Sequence, residues 1–322
     1  MRSPEAVGPT TCDHGRMTAT PAAGSRPLAL VTGVGRQVGI GAAIASRLAA
    51  DGWDVAIGHW TPYDERMPWG ARPGDTEQIV DELGRLGART AAIPADLTTT
   101  DAPAELFDSA ERNLGPVTAL VMCHCESVDS GILDTDIESF DRHFAVNARA
   151  SWLLIREFAM RYRAQEGRGR IVALTSDATV GNLPYGASKG ALDRIVLAAA
   201  RELADQRITA NAVNPGPVDT GWMSDELRDE IIRANPRGRG GSRRTPPRWW
   251  RSCARTRAVG STASSCTPTA ACTPESGVPH RAGPGGRPLA AAPRLGRRSR
   301  RGRSSRPRST PQVHSPHRRF AM

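Results

Sequence analysis

Leu28-Ala29-Leu30-Val31-Thr32-Gly33-Val34-Gly35-Arg36-Gln37-Val38-Gly39-Ile40-Gly41 is the stretch whose reading decides the fold. It opens with a short apolar run, passes through a glycine-rich turn and enters Ala42–Ala49, which has helical character. Glycines at a strand–turn–helix junction let the backbone turn sharply and approach a pyrophosphate, whose charge the helix N-terminus stabilises. On this reading Gly33, Gly35, Arg36, Gly39, Ile40 and Gly41 line a phosphate site. The segment departs from G-x-G-x-x-G, because Val38 stands where the third glycine would be. Taken by itself it also fits a structural turn that holds no ligand.

Strand-like and helical stretches alternate downstream. Val55-Ala56-Ile57, then 90–96, 119–122, 170–174 and 208–213 read as strands, with helices over 75–86, 101–113, 136–164 and 185–205 between them. Apolar strand runs alternating with helices predict parallel β-α-β units. The fold class is therefore α/β, a doubly wound parallel sheet with helices on both faces.

Charge divides the chain near Pro236. Residues 1–236 carry 23 basic and 32 acidic side chains, a net of −9, whereas 237–322 carry 20 and 1, a net of +19. The overall +10 averages two unlike parts and says nothing about partners of the folded part. Composition predicts a disordered leader over 1–26, a dinucleotide-binding catalytic domain over 27–236 and a disordered Arg/Pro/Ser-rich tail over 237–322. Six cysteines without paired spacing point to free thiols in a reducing cytoplasm. With no run of 18 apolar residues and no secretory signal pattern, no membrane span or export is expected.

The chemistry-bearing residues follow strand ends, on the edge where open α/β sheets bind ligands. Asp96-Leu97 is placed to contact an adenine ring or to cap the next segment. Ser176 can donate a hydrogen bond to a carbonyl oxygen, or simply start a loop. Asn147 lies in the long helical stretch, where spacing alone gives a solvent-facing polar residue. In Asn214-Pro215-Gly216-Pro217-Val218-Asp219-Thr220 the prolines and glycine fix a rigid turn. Thr220 there could bond a cofactor amide or start the next helix.

Tyr185-Gly186-Ala187-Ser188-Lys189 puts a phenol and an ammonium one helical turn apart on one face. Lys189 is the only lysine of the chain, at a point where a compact ammonium and a planar guanidinium are not equivalent. A free phenol has a pKa of about 10. A neighbouring cation favours the phenolate and moves that value toward the working range.

In this order, the pieces resemble the short-chain dehydrogenase/reductase family over about 27–236, its 3-oxoacyl-carrier-protein-reductase-like members in particular. The resemblance implies a Rossmann-like fold and hydride transfer between a nicotinamide cofactor and a carbonyl or secondary alcohol carbon. It implies Tyr185 as general acid/base, with Lys189 lowering its pKa and holding the nicotinamide ribose. Ser176 would polarise the substrate carbonyl and Asn147 would anchor a relay water near Lys189. Pro215, Gly216, Val218 and Thr220 join Asp96 and Leu97 as cofactor contacts. The implied partner is a small carbonyl or alcohol, with a homo-oligomer where the C-terminal part is intact and no specific nucleic-acid binding.

Three features depart from the family. Five residues separate Gly33 from Gly39 where the family usually has three. A subset of its reductases has such a loop, from which Arg36 would reach a 2′-phosphate. Cys123-His124-Cys125 replaces an Asn-Ala-Gly-like segment after the fourth strand. Buried thiols with a satisfied histidine are expected there rather than a metal site, since no second ligand cluster sits at zinc spacing. Ser176 precedes Tyr185 by nine residues where the family more often has about thirteen, which brings in Thr179 as its substitute. Gly58-His59-Trp60, after the second strand, offers no carboxylate of the kind NAD-specific members use. NADP is therefore preferred and NAD remains open.

The tail raises a reading-frame question. A one-base shift across Trp249–Arg257 permits Leu-Val-Ala-Phe-Leu-Cys-Ser-Asp-Glu, which is family-like, so the natural frame is expected to be lost between about Arg239 and Arg248. Two other functions compete with the enzyme. One is a catalytically impaired dinucleotide-binding protein, suggested by Cys123-His124-Cys125 and the aberrant end. The other is a non-specific nucleic-acid binder that uses the +19 tail on phosphates.

Overall fold

The computed structural model describes residues 26–163, 169–178, 181–234 and 241–242. The expectations for the leader before Arg26, for the reading frame and for most of the tail lie outside the described residues.

Six parallel strands form one sheet in the order β3-β2-β1-β4-β5-β6. They are β1 (Leu28–Thr32), β2 (Asp54–His59), β3 (Thr90–Pro94), β4 (Val117–Met122), β5 (Gly169–Leu174) and β6 (Ile208–Val213). The strand order reverses beside β1, so the crevice for a ligand opens between the carboxyl ends of β1 and β4. The central strands read as unbroken apolar runs because both faces are covered. Alternation within β1 sorts its side chains between two cores. Leu28 and Leu30 join Phe107, Leu154, Phe158 and Leu192 on one side. Ala29 and Val31 join Ile44, Leu48, Ile79 and Leu83 on the other. Each such large apolar side chain contributes about 1.5–3 kcal/mol on burial.

The expected helices are present as α1 (Ile40–Ala50), α3 (Asp75–Arg85), α4 (Ala102–Leu114) and α7 (Leu183–Glu202). The stretch read as one or two helices over 136–164 is α5 (Ile137–His143), a π-helical turn (Phe144–Arg149) and α6 (Ala150–Arg161). The structure adds α2 (Thr61–Arg66), β7 (Val218–Asp219) and β8 (Gly241–Ser242), and the helix that could follow Thr220 is α8 (Asp225–Ala234). In the second, two-stranded sheet Val218 pairs with Gly241 and Asp219 with Ser242 in parallel. Among the described residues no helix is long and apolar enough to cross a membrane.

Candidate active site

The phosphate loop is folded as tightly as its glycines allow. Gly33 has φ +72°, and a Cβ there would stand 2.5 Å from the backbone N of His124. A Cβ at Gly41 would stand 2.5 Å from the Gly33 carbonyl oxygen, so the helix start is packed directly on the turn. Gly39 caps α1 with extended backbone, and Ile40 begins the helix. Among the described residues no side chain caps that end and no acid lies in its first turn, which leaves backbone N–H groups for an anion. The loop, its helix and their position at the switch point fit a dinucleotide pyrophosphate.

Arg36 leaves this loop and meets three residues. Its Nη2 donates to the Thr220 carbonyl oxygen at 2.7 Å. Its Nε stands 3.7 Å from Asp64 Oδ1, and its guanidinium lies 4.8 Å from the centre of the Trp69 ring. Two residues predicted from opposite halves of the fold, Arg36 and Thr220, are thus brought together. The strand end at Gly58-His59-Trp60 carries no carboxylate, and one arrives from further along the chain. α2 turns the chain back so that Asp64, in the following helix rather than at the strand end, stands beside the loop. A Cβ at Gly35 would lie 3.4 Å from Asp64 Oδ2. Burial lowers the Arg36 pKa, with Asp64 opposing. Burial raises that of Asp64, opposed by the 2.9 Å hydrogen bond from Trp69 Nε1 and by Arg36.

α7 starts at Leu183, with Pro184 in its first turn, and carries both Tyr185 and Lys189 toward the end of β5. Lys189 is buried and its Nζ donates to the Leu174 carbonyl oxygen at 2.9 Å. Desolvation lowers its pKa, while Cys125, Cys123 and Asp193 oppose that shift. Ser176 stands near enough to Tyr185 for its hydroxyl to favour the phenolate. Its proposed substitute Thr179 lies outside the described residues. The anticipated lowering of the Tyr185 pKa is not found. Burial pushes it upward, and the Ser176 hydroxyl only opposes that rise.

Asn147 does not face solvent, as spacing alone had suggested; it is fully buried in the π-helical turn. Its Nδ2 donates to the Glu126 carbonyl oxygen at 2.8 Å and to Ser188 Oγ at 2.9 Å, and its Oδ1 accepts from the Glu126 N–H at 2.8 Å. Both amide hydrogens are therefore used, and a relay water would find only spare lone pairs on Oδ1 or the backbone carbonyl.

In Cys123-His124-Cys125 the histidine is buried and satisfied. Its Nδ1 lies 2.6 Å from Thr32 Oγ1 and its Nε2 3.2 Å from Ser151 Oγ. Desolvation, helped by the Lys189 charge, takes the His124 pKa down to about 3. The thiols are half-buried, and burial pushes that of Cys123 up to about 12. Asp96 closes a local turn: its Oδ1 accepts from the Thr98 N–H at 2.9 Å and from Thr98 Oγ1 at 2.7 Å. The Leu97 side chain is packed in the larger core. After Pro215, Gly216 turns with φ +68°, its N–H held by Asn214 Oδ1 at 2.9 Å, before Val218 enters β7.

Sequence reasoning missed the contribution of α2 and of Glu126. The signal was a long connection, from Trp60 to Gly74, rich in aromatic and charged residues, where a typical loop is shorter.

A switch-point phosphate loop with a Ser–Tyr–Lys cluster at the same sheet edge defines a dinucleotide-dependent oxidoreductase. The sequence model of the short chain dehydrogenase family matches residues 27–231, and the chain belongs to that family. It is an enzyme of the NAD(P)-dependent short-chain dehydrogenase/reductase class. The chain is 35% identical over 220 residues to the uncharacterized oxidoreductase YjdA of Bacillus subtilis, covering 67% of this chain and 84% of that one. It is 33% identical to an NADPH-dependent aldehyde reductase-like protein of Arabidopsis thaliana, over 66% of this chain and 82% of the relative. A short chain dehydrogenase from Burkholderia cenocepacia, solved in complex with NADP, is 31% identical with a TM-score of 0.60, covering 69% of this chain and 86% of that one.

Proposed function

We propose that the chain reduces a small aldehyde or ketone with NADPH, and oxidises the corresponding alcohol in reverse. The observation that carries this reading is the cluster in which Ser176, at the end of β5, stands near Tyr185 while buried Lys189 lies one turn along the same helix. When bound, the dinucleotide supplies the hydride. The Tyr185 hydroxyl gives its proton to the carbonyl oxygen as the alcohol forms, and Ser176 donates a second hydrogen bond to that oxygen. The Lys189 ammonium, one turn along the same helix, is placed to hold the nicotinamide ribose. Asn147 fixes the neighbouring helix turn and offers an acceptor to a relay water. Gly33, Gly35, Gly39, Ile40 and Gly41 would hold the pyrophosphate, with Pro215, Gly216, Val218 and Thr220 on the nicotinamide side. NADP is the preferred cofactor because Arg36 stands on the loop, and the NADP complex and the NADPH-dependent relative agree with that choice.

The test follows NADPH absorbance with a panel of aldehydes, ketones and 3-oxoacyl thioesters, for the natural chain and Tyr185→Phe. Turnover lost in the variant with cofactor binding retained supports the reading. Undiminished turnover in the variant sinks it.

A further inference from the structure

The mechanism above makes no use of Glu126, a carboxylate only 3% exposed beside the crevice. Two arginines from different elements clasp it. Arg66 of α2 donates through Nη1 to Oε1 at 3.1 Å and through Nη2 to Oε2 at 2.8 Å. Arg142 of α5 brings its Nε to 3.7 Å from Oε1. A buried charge this well paired resists displacement, because either partner lost leaves an uncompensated ion. The same residue presents both backbone groups, N–H and C=O, that hold the Asn147 side chain. From Asn147 the chain of hydrogen bonds runs on to Ser188 Oγ, which donates to the Tyr185 carbonyl oxygen at 2.8 Å.

We propose that Glu126 is a positioning residue for proton transfer. Its ion pairs with Arg66 and Arg142 fix the backbone at residue 126, and that backbone sets Asn147 and the helix turn carrying Tyr185. The inference rests on the reading of Tyr185 as the proton donor. A consequence is that α2, in the long connection after the second strand, helps to set the catalytic geometry from outside the cluster. Its Tyr63 hydroxyl, 3.5 Å from the Ser127 carbonyl oxygen, marks the same contact one residue further on.

The test compares the full natural chain with Glu126→Gln, Arg66→Ala and Arg66→Lys. Misplacement of catalytic groups by an ångström reduces turnover by up to about 100-fold, so Glu126→Gln should lose about 10- to 100-fold in kcat. The carbonyl KM and the NADPH affinity, measured by fluorescence titration, should stay within about twofold, since neither ligand is touched. Arg66→Ala should lose about tenfold in kcat, and Arg66→Lys should recover most of it by keeping the charge. Arg66 is 41% exposed and Arg66→Lys keeps a cation opposite Glu126, so that variant decides the matter where Arg66→Ala or Glu126→Gln is destabilised. Hydrogen exchange at the Asn147 side-chain amide supplies a readout independent of activity, and should quicken in Arg66→Ala. Unchanged kcat with unchanged amide exchange in that variant overturns the proposal. A Tyr185→Phe variant that stays active overturns the tyrosine reading instead, and leaves the amide-exchange result standing on its own.

Discussion

The Lys189 ammonium nitrogen lies 5.7 Å from the centre of the Tyr185 ring. It sits over the ring and bonds the Leu174 carbonyl, so it does not touch the phenol oxygen. Burial consequently governs the phenol and raises its pKa. The proton is therefore present at neutral pH, ready for delivery to a carbonyl. Reduction should show no falling limb from Tyr185 below the ordinary phenol value of about 10, whereas oxidation, which needs the phenolate, should keep rising with pH. Profiles of kcat in both directions check this. A reduction rate that falls away between about pH 7 and 8 would show a phenol already lowered, against the burial argument.

Gly33→Ala tests the turn. The substituted residue would hold φ +72° with its Cβ 2.5 Å from backbone at His124, which has no flexible end to move aside. Left-handed strain costs about 1–3 kcal/mol, and the collision adds to it. For a domain of this size each 1 kcal/mol lowers Tm by about 2–4 °C. A fall of roughly 5 °C or more by calorimetry is expected; an unchanged Tm would mean that the turn is not built as described.

Arg36 and Asp64 give the next prediction. Asp64 competes for the guanidinium that a 2′-phosphate would need, and it stands 3.7 Å away. Asp64→Asn keeps the shape and the acceptor for Trp69 but removes the competing charge. It should tighten NADPH relative to NADH, and Arg36→Ala should weaken NADPH selectively, each by about tenfold, the size of one charge-assisted contact. Paired titrations of the two cofactors measure it. Equal changes for both cofactors would place the 2′-phosphate elsewhere.

Legibility in the sequence followed the range of the forces involved. The strands were readable because burial on both faces demands near-continuous apolar runs, as in Leu28–Val31 and Ala119–Met122. The cluster of Ser176, Tyr185 and Lys189 was readable because helix spacing and strand ends fix its parts locally. Asp64 and Glu126 were not readable. Their roles arise from where α2 folds back across the sheet edge, and no local spacing records a contact 60 residues apart such as Arg66 with Glu126. Asn147 was misjudged for the same reason, since its partners come from β4's loop and from α7. The Tyr185 pKa failed differently: the ammonium was correctly placed along the helix, but the balance between burial and charge depends on where Nζ turns.

His124 yields a stability prediction with a definite sign. Its folded pKa is about 3, against about 6.5 for a free imidazole. Between those values the unfolded chain binds a proton that the native ring refuses, so stability rises with pH through the window and is lost as pH falls. The slope from this one group approaches about 1.4 kcal/mol per pH unit below about pH 6. His124→Asn keeps a hydrogen-bonding side chain near Thr32 and Ser151 without the titration. Denaturant unfolding of both chains from about pH 7 down to about pH 5 separates this ring from carboxylates that titrate in common. The natural chain should lose more stability over that interval than the variant. Parallel curves would mean that the ring accepts its proton in the folded state, and that the depressed value belongs to a geometry the protein does not hold.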